Sequence, residues 1–505
     1  MQFLFEGHVL DTATRELRRG FESVAVEPQV LDLLVYLVEN RDRVVSKDDL
    51  LATIWQGRVV SESALFNRIN SARKAVGDSG EEQRLIKTLP RKGLRFVGEV
   101  REEAEAALPL PDRPSIAVLP FANVSGDPAE EYFADGISED LITGLARIRW
   151  LLVIARNSTF VYKQRAVEVK QVSRELGVRY VLEGSVRRAG NRLRITAQLV
   201  DATTGGHHWA ERYDRELGDM FAVQDEITRS VAAAIEPRLL AAEGVRALAR
   251  APQHLGAWDL VARAQTQFWR LTRADYDAAA KQLRQAVQAH PDYAPAHGRL
   301  GFCLAFAAHM GWVVADQGMQ ASREHARRAI ALDDCDPWGH IALAYWAMME
   351  RRTEESLAAF EQTVKLNPSS AAAHSHLSRG FAFAGRDRPA IDHGREAIRL
   401  SPLDPEMALF LGAMAVAHYT ARRYEDATHC TAEALRLRPG FQGAQRLHCA
   451  SLAQAGRLQE ARALLATVRR EQPDLSIDWV RANVPYQTVE LMDRFVEGLR
   501  MAGLR

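Results

Sequence analysis

The chain has 505 residues, and its 65 Lys and Arg are matched by 65 Asp and Glu. Length predicts about three domains, and zero net charge leaves any nucleic-acid argument to local charge. The scattered cysteines Cys303, Cys335, Cys430 and Cys449 form no CxxC pair, the start "MQFLFEGHVLD" lacks a leader pattern, and no run approaches the ~20 apolar residues of a membrane span; a cytoplasmic chain without zinc site or disulfide framework is expected.

"QFLFEGHVLDTATRELRRGFESVAVEP" alternates apolar and polar residues and predicts a small antiparallel sheet. Pro28 then opens a helix, "PQVLDLLVYLVEN", with Leu31, Leu34, Val35 and Val38 in one buried stripe. Ser46 and Asp49 make a capping box for "SKDDLLATIW", and "QGRVV" is a loop. Ser61 caps a third helix, "ESALFNRINSARKAV". Its apolar face is Leu65, Ile69, Ala72 and Val76. The opposite face carries Ser63, Asn67, Asn70, Ser71 and Lys74, flanked by Arg68 and Arg73. Asn can pair with adenine edges, Ser can reach bases or phosphates, and Arg and Lys can hold phosphates. "RLIKTLPRKGLRFVGEV" predicts a hairpin whose turn, Pro90-Arg91-Lys92-Gly93, carries two adjacent cations. From Arg58 to Arg95 nine cations face four anions, a local excess of five.

The order sheet, helix, helix-turn-helix, hairpin, carried by "VVSKDDLLATIW", "VSESALFNRINSARKAVGD" and "IKTLPRKGLRF", resembles the winged-helix DNA-binding domain of OmpR/PhoB-type response regulators, closest to the ToxR- and CadC-like variant. The resemblance covers about 1–100. It implies that Ser63, Asn67, Arg68, Asn70, Ser71, Arg73 and Lys74 form the DNA-facing side of a recognition helix. It makes the hairpin a wing, with Thr88, Arg91, Lys92 and Arg95 near the minor groove and backbone. Ser63 and Ser71 stand where many response regulators carry Arg, so base readout differs. No Asp-bearing receiver domain precedes the winged helix, which argues against phosphorelay control.

"EEAEAALPLPDRP" reads as a linker over 101–113. "SIAVLPFANVS" predicts a strand, "ISEDLITGLARI" a helix capped by Ser138, "LLVIARNSTF" a second strand and "KQVSRELG" a helix. Two strands follow around Ala189-Gly190-Asn191, with a third in "GGHHWAERYDREL". "AVLPFANVSGDPAEEYFADGISEDLITGL", with the strands that follow, resembles the TolB N-terminal-like α/β domain over 114–220. The resemblance implies a fold and no known reaction. Asp127, Glu130, Glu131, Asp135, Glu139 and Asp140 form an acidic run that invites a metal or acid–base role. Turn signals and the helix dipole account for it more simply.

Connecting helices are expected over 221–253. From 254 to 475 six helix-turn-helix units align on turns at Ala274, Gln317, Arg351, Gly385, Arg422 and Gly456. Three of the five spacings are 34 residues, the tetratricopeptide period. Five residues beyond each turn stand the small residues Ala279, Ser322, Ser356, Ala390, Ala427 and Ala461. Pro291, Pro368, Pro402, Pro439 and Pro473 end second helices. A capping helix is expected in "VELMDRFVEGLR", within 476–505. Such solenoids have a concave groove that binds other chains. Trp312, Trp338, Trp346 and Tyr419 are assigned to inter-repeat core.

The fold class is thus multidomain α+β and all-α: winged helix-turn-helix, TolB-like α/β domain, tetratricopeptide solenoid. The expected function is a one-component, sequence-specific transcriptional regulator whose later domains sense a signal or bind a partner. The rival readings are an interaction scaffold and an enzyme hidden in the middle domain, although no Walker A, GxSxG or HExxH pattern occurs. Expected partners are double-stranded DNA, a protein or a second copy of the chain in the repeat groove, and RNA polymerase. No cofactor, metal or membrane is expected.

Overall fold

A computed structural model describes residues 2–12, 15–20, 22–55, 61–103, 108, 110–111, 113–165, 167–216, 220–250 and 255–505. The expected loop "QGRVV" lies outside the described residues, as do 104–107, 109 and 112 of the expected linker. The chain divides into two compact units, Met1–Leu108 and Pro109–Arg505.

In the first unit, β1 (Gln2–Phe5), β2 (His8–Asp11), β3 (Glu16–Arg19) and β4 (Glu22–Val24) form an antiparallel meander. Then come α1 (Pro28–Glu39), α2 (Lys47–Ile54), α3 (Glu62–Ala75), β5 (Ile86–Leu89), β6 (Gly93–Phe96) and β7 (Arg101–Glu103). β7 begins where the linker was expected; it pairs antiparallel with β1 and completes a five-stranded sheet. Pro at the first position of α1 costs no hydrogen bond, since that N–H has no intrahelical acceptor. The Ser46–Asp49 capping box and the Ser61 cap are both formed. Leu33, Leu34, Leu37 and Val38 of α1, Leu65, Ile69 and Ala72 of α3, and Phe96 of β6 bury one shared core. Gly93 is required for a steric reason: Leu94 bridges Val45, and a Cβ at Gly93 would stand 2.0 Å from the Val45 carbonyl oxygen.

The second unit opens with β8 (Ser115–Val118), β9 (Ala122–Asn123), α4 (Glu131–Leu145), β10 (Leu152–Val153), α5 (Arg156–Thr159), α6 (Val169–Leu176), β11 (Tyr180–Ala189), β12 (Arg192–Asp201) and β13 (Gly206–Glu216). The sheet order is β10-β8-β11-β12-β13, parallel across its first three strands and antiparallel beyond. Two details differ from expectation. The second strand is only two residues long, and "RNST" turns helical. Ser138 does not cap α4. It sits buried inside it, donating to the Ala134 carbonyl and accepting from the Phe121 N–H, both at 2.9 Å. Glu139 and Asp140 are therefore mid-helix.

The connecting region is one 30-residue helix, α7 (Met220–Ala249), with Pro237 inside it. Its Glu243 is buried and accepts from Tyr180 Oη of β11 at 2.6 Å. It also accepts from Trp258 Nε1 of the first repeat at 3.1 Å and pairs with Arg246. Trp150 stacks on Trp258 at 4.8 Å. Sheet, α7 and repeats are therefore packed as one body.

The repeats pair α8 (Ala257–Phe268) with α9 (Arg273–Ala289), α10 (Ala294–Met310) with α11 (Ala315–Leu332), and α12 (Pro337–Met349) with α13 (Thr353–Leu366). They continue with α14 (Ala371–Phe383) and α15 (Asp387–Leu400), α16 (Met407–Thr420) and α17 (Tyr424–Leu437), and α18 (Gln442–Gln454) and α19 (Leu458–Glu471). α20 (Ile477–Asn483) and α21 (Val489–Met501) close the chain. The last four internal turns lie as expected. The first two do not: Ala274 and Gln317 are helical, and the left-handed turn residues there are Leu271 and Gly311. The reason is length. α9 and α11 have 17 and 18 residues against 14 in α13, so each starts about one turn early while its small residue, Ala279 or Ser322, stays buried.

Trp312, Trp338, Trp346 and Tyr419 are all buried, as expected for core. The expected open groove is instead packed. Phe302, Phe306, Tyr345 and His376 form an aromatic cluster inside the array. The array curls until its ends meet. Trp269 Nε1 donates to Glu406 Oε1 at 2.8 Å, joining repeats one and five. Trp312 Nε1 donates to Gln442 Oε1 at 2.9 Å, joining two and six. α7 covers one rim and α20–α21 the other. No helix among the described residues is long and apolar enough to cross a membrane.

Candidate nucleic-acid interface

α3 turns Leu65, Ile69, Ala72 and Val76 into the core, which forces Ser63, Asn67, Ser71 and Lys74 outward, all exposed. Asn70 is half-buried on the same face. Ser63 Oγ is 3.1 Å from Ser61 Oγ, beside the helix cap. Arg68 is drawn aside, paired with Glu27. Lys47 reaches from α2 to Glu62 at 2.9 Å.

Arg73 departs from expectation. Only 4% exposed, its guanidinium donates to the Ile86 carbonyl at 3.1 and 3.0 Å and to Thr88 Oγ1 at 2.8 Å. A side chain on the edge of the helix wheel has bent under the hairpin and become the tie between α3 and β5. Thr88 is exposed, but its hydroxyl serves this tie.

The loop between α3 and β5 is held by Asp78. Its carboxylate accepts from the N–H groups of Ser79, Arg84, Leu85 and Ile86 at 2.8 to 3.0 Å. Burial pushes its pKa up, but these four donors outweigh burial and hold it below the ordinary carboxylate value.

At the hairpin tip Arg91 adopts a left-handed φ of 64°, and Arg91 and Lys92 stand exposed. Among the described residues Lys74, Lys87, Arg91 and Lys92 form no ion pair. Arg95 is exposed too, yet its Nε donates back to the Arg41 carbonyl at 3.0 Å. Sequence reasoning passed over Phe66, which is 60% exposed at the edge of the same α3 face. An aromatic residue breaking an otherwise polar helix surface was the available signal.

A β-sheet, three helices with the third presenting a polar face, and a cationic hairpin define a winged helix-turn-helix unit. Residues 7–96 match the family described as the C-terminal domain of transcriptional regulatory proteins, and the N-terminal unit belongs to it. Over 411 residues the chain is 23% identical to the transcriptional regulator HilA of Salmonella typhi, covering 79% of this chain and 71% of that one. Over 83 residues it is 27% identical to the transcriptional activator CadC of Escherichia coli, 16% of each chain. Over 255 residues it is 46% identical to a candidate adenylate cyclase of Rhizobium meliloti, covering 50% of this chain. The chain spans only 43% of that cyclase's length.

Proposed function

We propose that the chain is a transcriptional regulator that carries α3 into the major groove of double-stranded DNA and rests the β5–β6 tip on the adjacent backbone and minor groove. The observation that carries this reading is a polar helix face and a cationic hairpin tip, without ion pairs among the described residues, on one small tied unit. Asn67 and Asn70 are assigned to base edges, Ser63 and Ser71 to bases or phosphates, and Lys74, Arg91 and Lys92 to phosphates. Phe66 is assigned to a thymine methyl group, the one apolar feature of the major groove. Arg73 and Thr88 position the wing and do not touch DNA. Arg68 and Arg95 reach phosphate only by giving up Glu27 and the Arg41 carbonyl. The second unit is assigned to signal or partner recognition, with RNA polymerase among the partners. Because the array's interior is packed, a protein partner engages its outer surface. Genome-wide occupancy of the full chain tests the reading; random occupancy overturns it.

The likeness to a candidate cyclase favours a second reading, nucleotide turnover in the second unit. Its acidic run argues otherwise, because the carboxylates already have partners. Glu130 pairs with Arg188 at 2.6 Å, Glu131 and Asp135 share Lys163 at 3.1 and 2.6 Å, and Asp140 accepts from Gln224. Among the described residues the one cluster with metal-type ligands, Asp333, Asp334 and Cys335, has Asp333 already paired with Arg149. Cyclic AMP production from ATP by the purified chain would decide for the enzyme.

A further inference from the structure

Inside the curled array, a cavity of about 40 Å³ lies between the aromatic cluster and the C-terminal segment. Phe383 and Phe495 give it apolar walls, and Tyr486, from the stretch joining α20 to α21, closes it. Three basic side chains, His309, Arg379 and Arg446, line it as well.

Both guanidiniums lack a counter-charge. Arg446, 2% exposed, donates to Gln472 Oε1 at 2.7 Å and to Met310 Sδ at 3.7 Å, and lies 4.7 Å over the Trp479 ring. All three partners are neutral. Arg379 is buried, donates to the Leu409 carbonyl at 3.0 Å, and has no partner for its Nε. Among the described residues no carboxylate lies within 4.0 Å of either. Arg379 feels Glu406 only from farther off.

An isolated charge in an apolar interior is strongly unfavourable, and a guanidinium does not shed its proton at neutral pH. Burial drags Arg446 down to about 9, which still leaves it charged at pH 7. The nearby acids gather elsewhere: buried Glu406 and half-buried Glu236 and Asp404 line a separate niche with Arg299. Desolvation and the neighbouring carboxylates push Glu236 and Asp404 above the ordinary carboxylate range. His309 donates or accepts at 2.8 Å with the Tyr345 hydroxyl, and burial beside the two guanidiniums holds it neutral.

We propose that this cavity binds a small monocarboxylate, with the carboxylate between Arg379 and Arg446 and a short apolar tail against Phe383 and Phe495. A planar fork facing a carboxylate is the strong form of such pairing. The volume holds a ligand of only a few heavy atoms. Occupancy is coupled to the C-terminal segment, because Arg351 grips the carbonyls of Tyr486, Arg481 and Val484 beside it. The inference deepens the signal-recognition part of the proposed function and rests on it only for its biological meaning.

The test uses the full chain without DNA, so its failure leaves the DNA reading untouched. Thermal unfolding and calorimetric titration are run with acetate, propionate and butyrate, each against its amide and against chloride at equal ionic strength. The expected result is a concentration-dependent rise in Tm with carboxylates and dissociation constants roughly tenfold or more below those of the amides. Arg446→Met should lose this difference and, without ligand, melt no lower than the parent, since it removes an unpaired buried charge. Equal shifts from carboxylate and amide, equal shifts from chloride, or no shift with any of the three acids overturns the proposal. If Arg446→Met does not fold, the parent's carboxylate–amide difference and the Arg379→Met variant decide it.

Discussion

Arg73 on α3 and Thr88 on β5 are joined by a 2.8 Å hydrogen bond that ties the helix to the wing. That bond sets Arg73 apart from the other cations of the unit. Arg73→Met is expected to lower the stability of the N-terminal unit by about 1.5–3 kcal/mol, the usual contribution of hydrogen bonds to a charged group. At temperatures where the variant is folded, the salt slope of DNA binding should be unchanged. A lower slope with unchanged Tm would return Arg73 to the phosphate-binding set.

Arg91 and Lys92 should behave in the opposite way. Replacing both with Ala removes charge from an exposed turn and should leave folding within about 0.5 kcal/mol of the parent. Binding should weaken on every DNA sequence, and the slope of log K against log salt should fall by about one for each phosphate no longer neutralised. Fluorescence anisotropy across a salt series measures it.

Asn67, Asn70 and Phe66 carry sequence preference in the proposed reading. Asn67→Ala or Asn70→Ala should cost about 1–3 kcal/mol on the preferred site if its amide pairs with adenine, with little change in salt slope. Phe66 has a sharper signature. Replacing the contacted thymine by uracil deletes one methyl group and should weaken the parent, while Phe66→Ala should be indifferent to that replacement. If parent and variant respond alike to uracil at every thymine of the site, Phe66 has some other partner.

Asp78 predicts an acid limit for the N-terminal unit. Its folded pKa lies below the ordinary 3.8, so its contribution is complete above that value and is lost as pH falls through the folded pKa. Asp78→Asn should cost about 1–3 kcal/mol near neutral pH, because several buried N–H groups lose an ionised acceptor. The gap between parent and variant should narrow as pH falls below 3.8, the ordinary carboxylate value, and through the lower folded one. Denaturant melts at several pH values check the sign.

Local features were legible in the sequence because local chemistry decides them. The Ser46–Asp49 capping box, the Ser61 cap, the apolar stripe of α3 and the hairpin at Pro90–Gly93 depend on neighbours within a few residues. The six helical pairs were countable because small residues and prolines recur in step. What was not legible is where long side chains end. A helix wheel places the Cβ of Arg73 beside the polar face, yet its guanidinium lies several bonds away, under β5. The early starts of α9 and α11 were hidden because the anchor residues Ala279 and Ser322 kept their places while the turns moved. The packed interior of the array was hidden for a different reason: the hydrogen bonds of Trp269 with Glu406 and of Trp312 with Gln442 span more than a hundred residues. No short window reports them.

The meeting of repeat one with five, and two with six, changes how the array is held. An open solenoid behaves as a spring: each coil leans only on its neighbours, and the ends can fray or be trimmed one coil at a time. Here the spring is latched. Trp269 and Trp312 act as catches, and cutting the chain after α19 would strip Tyr486 and Phe495 from the centre as well as the last two helices. Such a cut should loosen every coil together, and hydrogen exchange should rise in α10 and α14, far from the cut in sequence, as much as in α18 beside it.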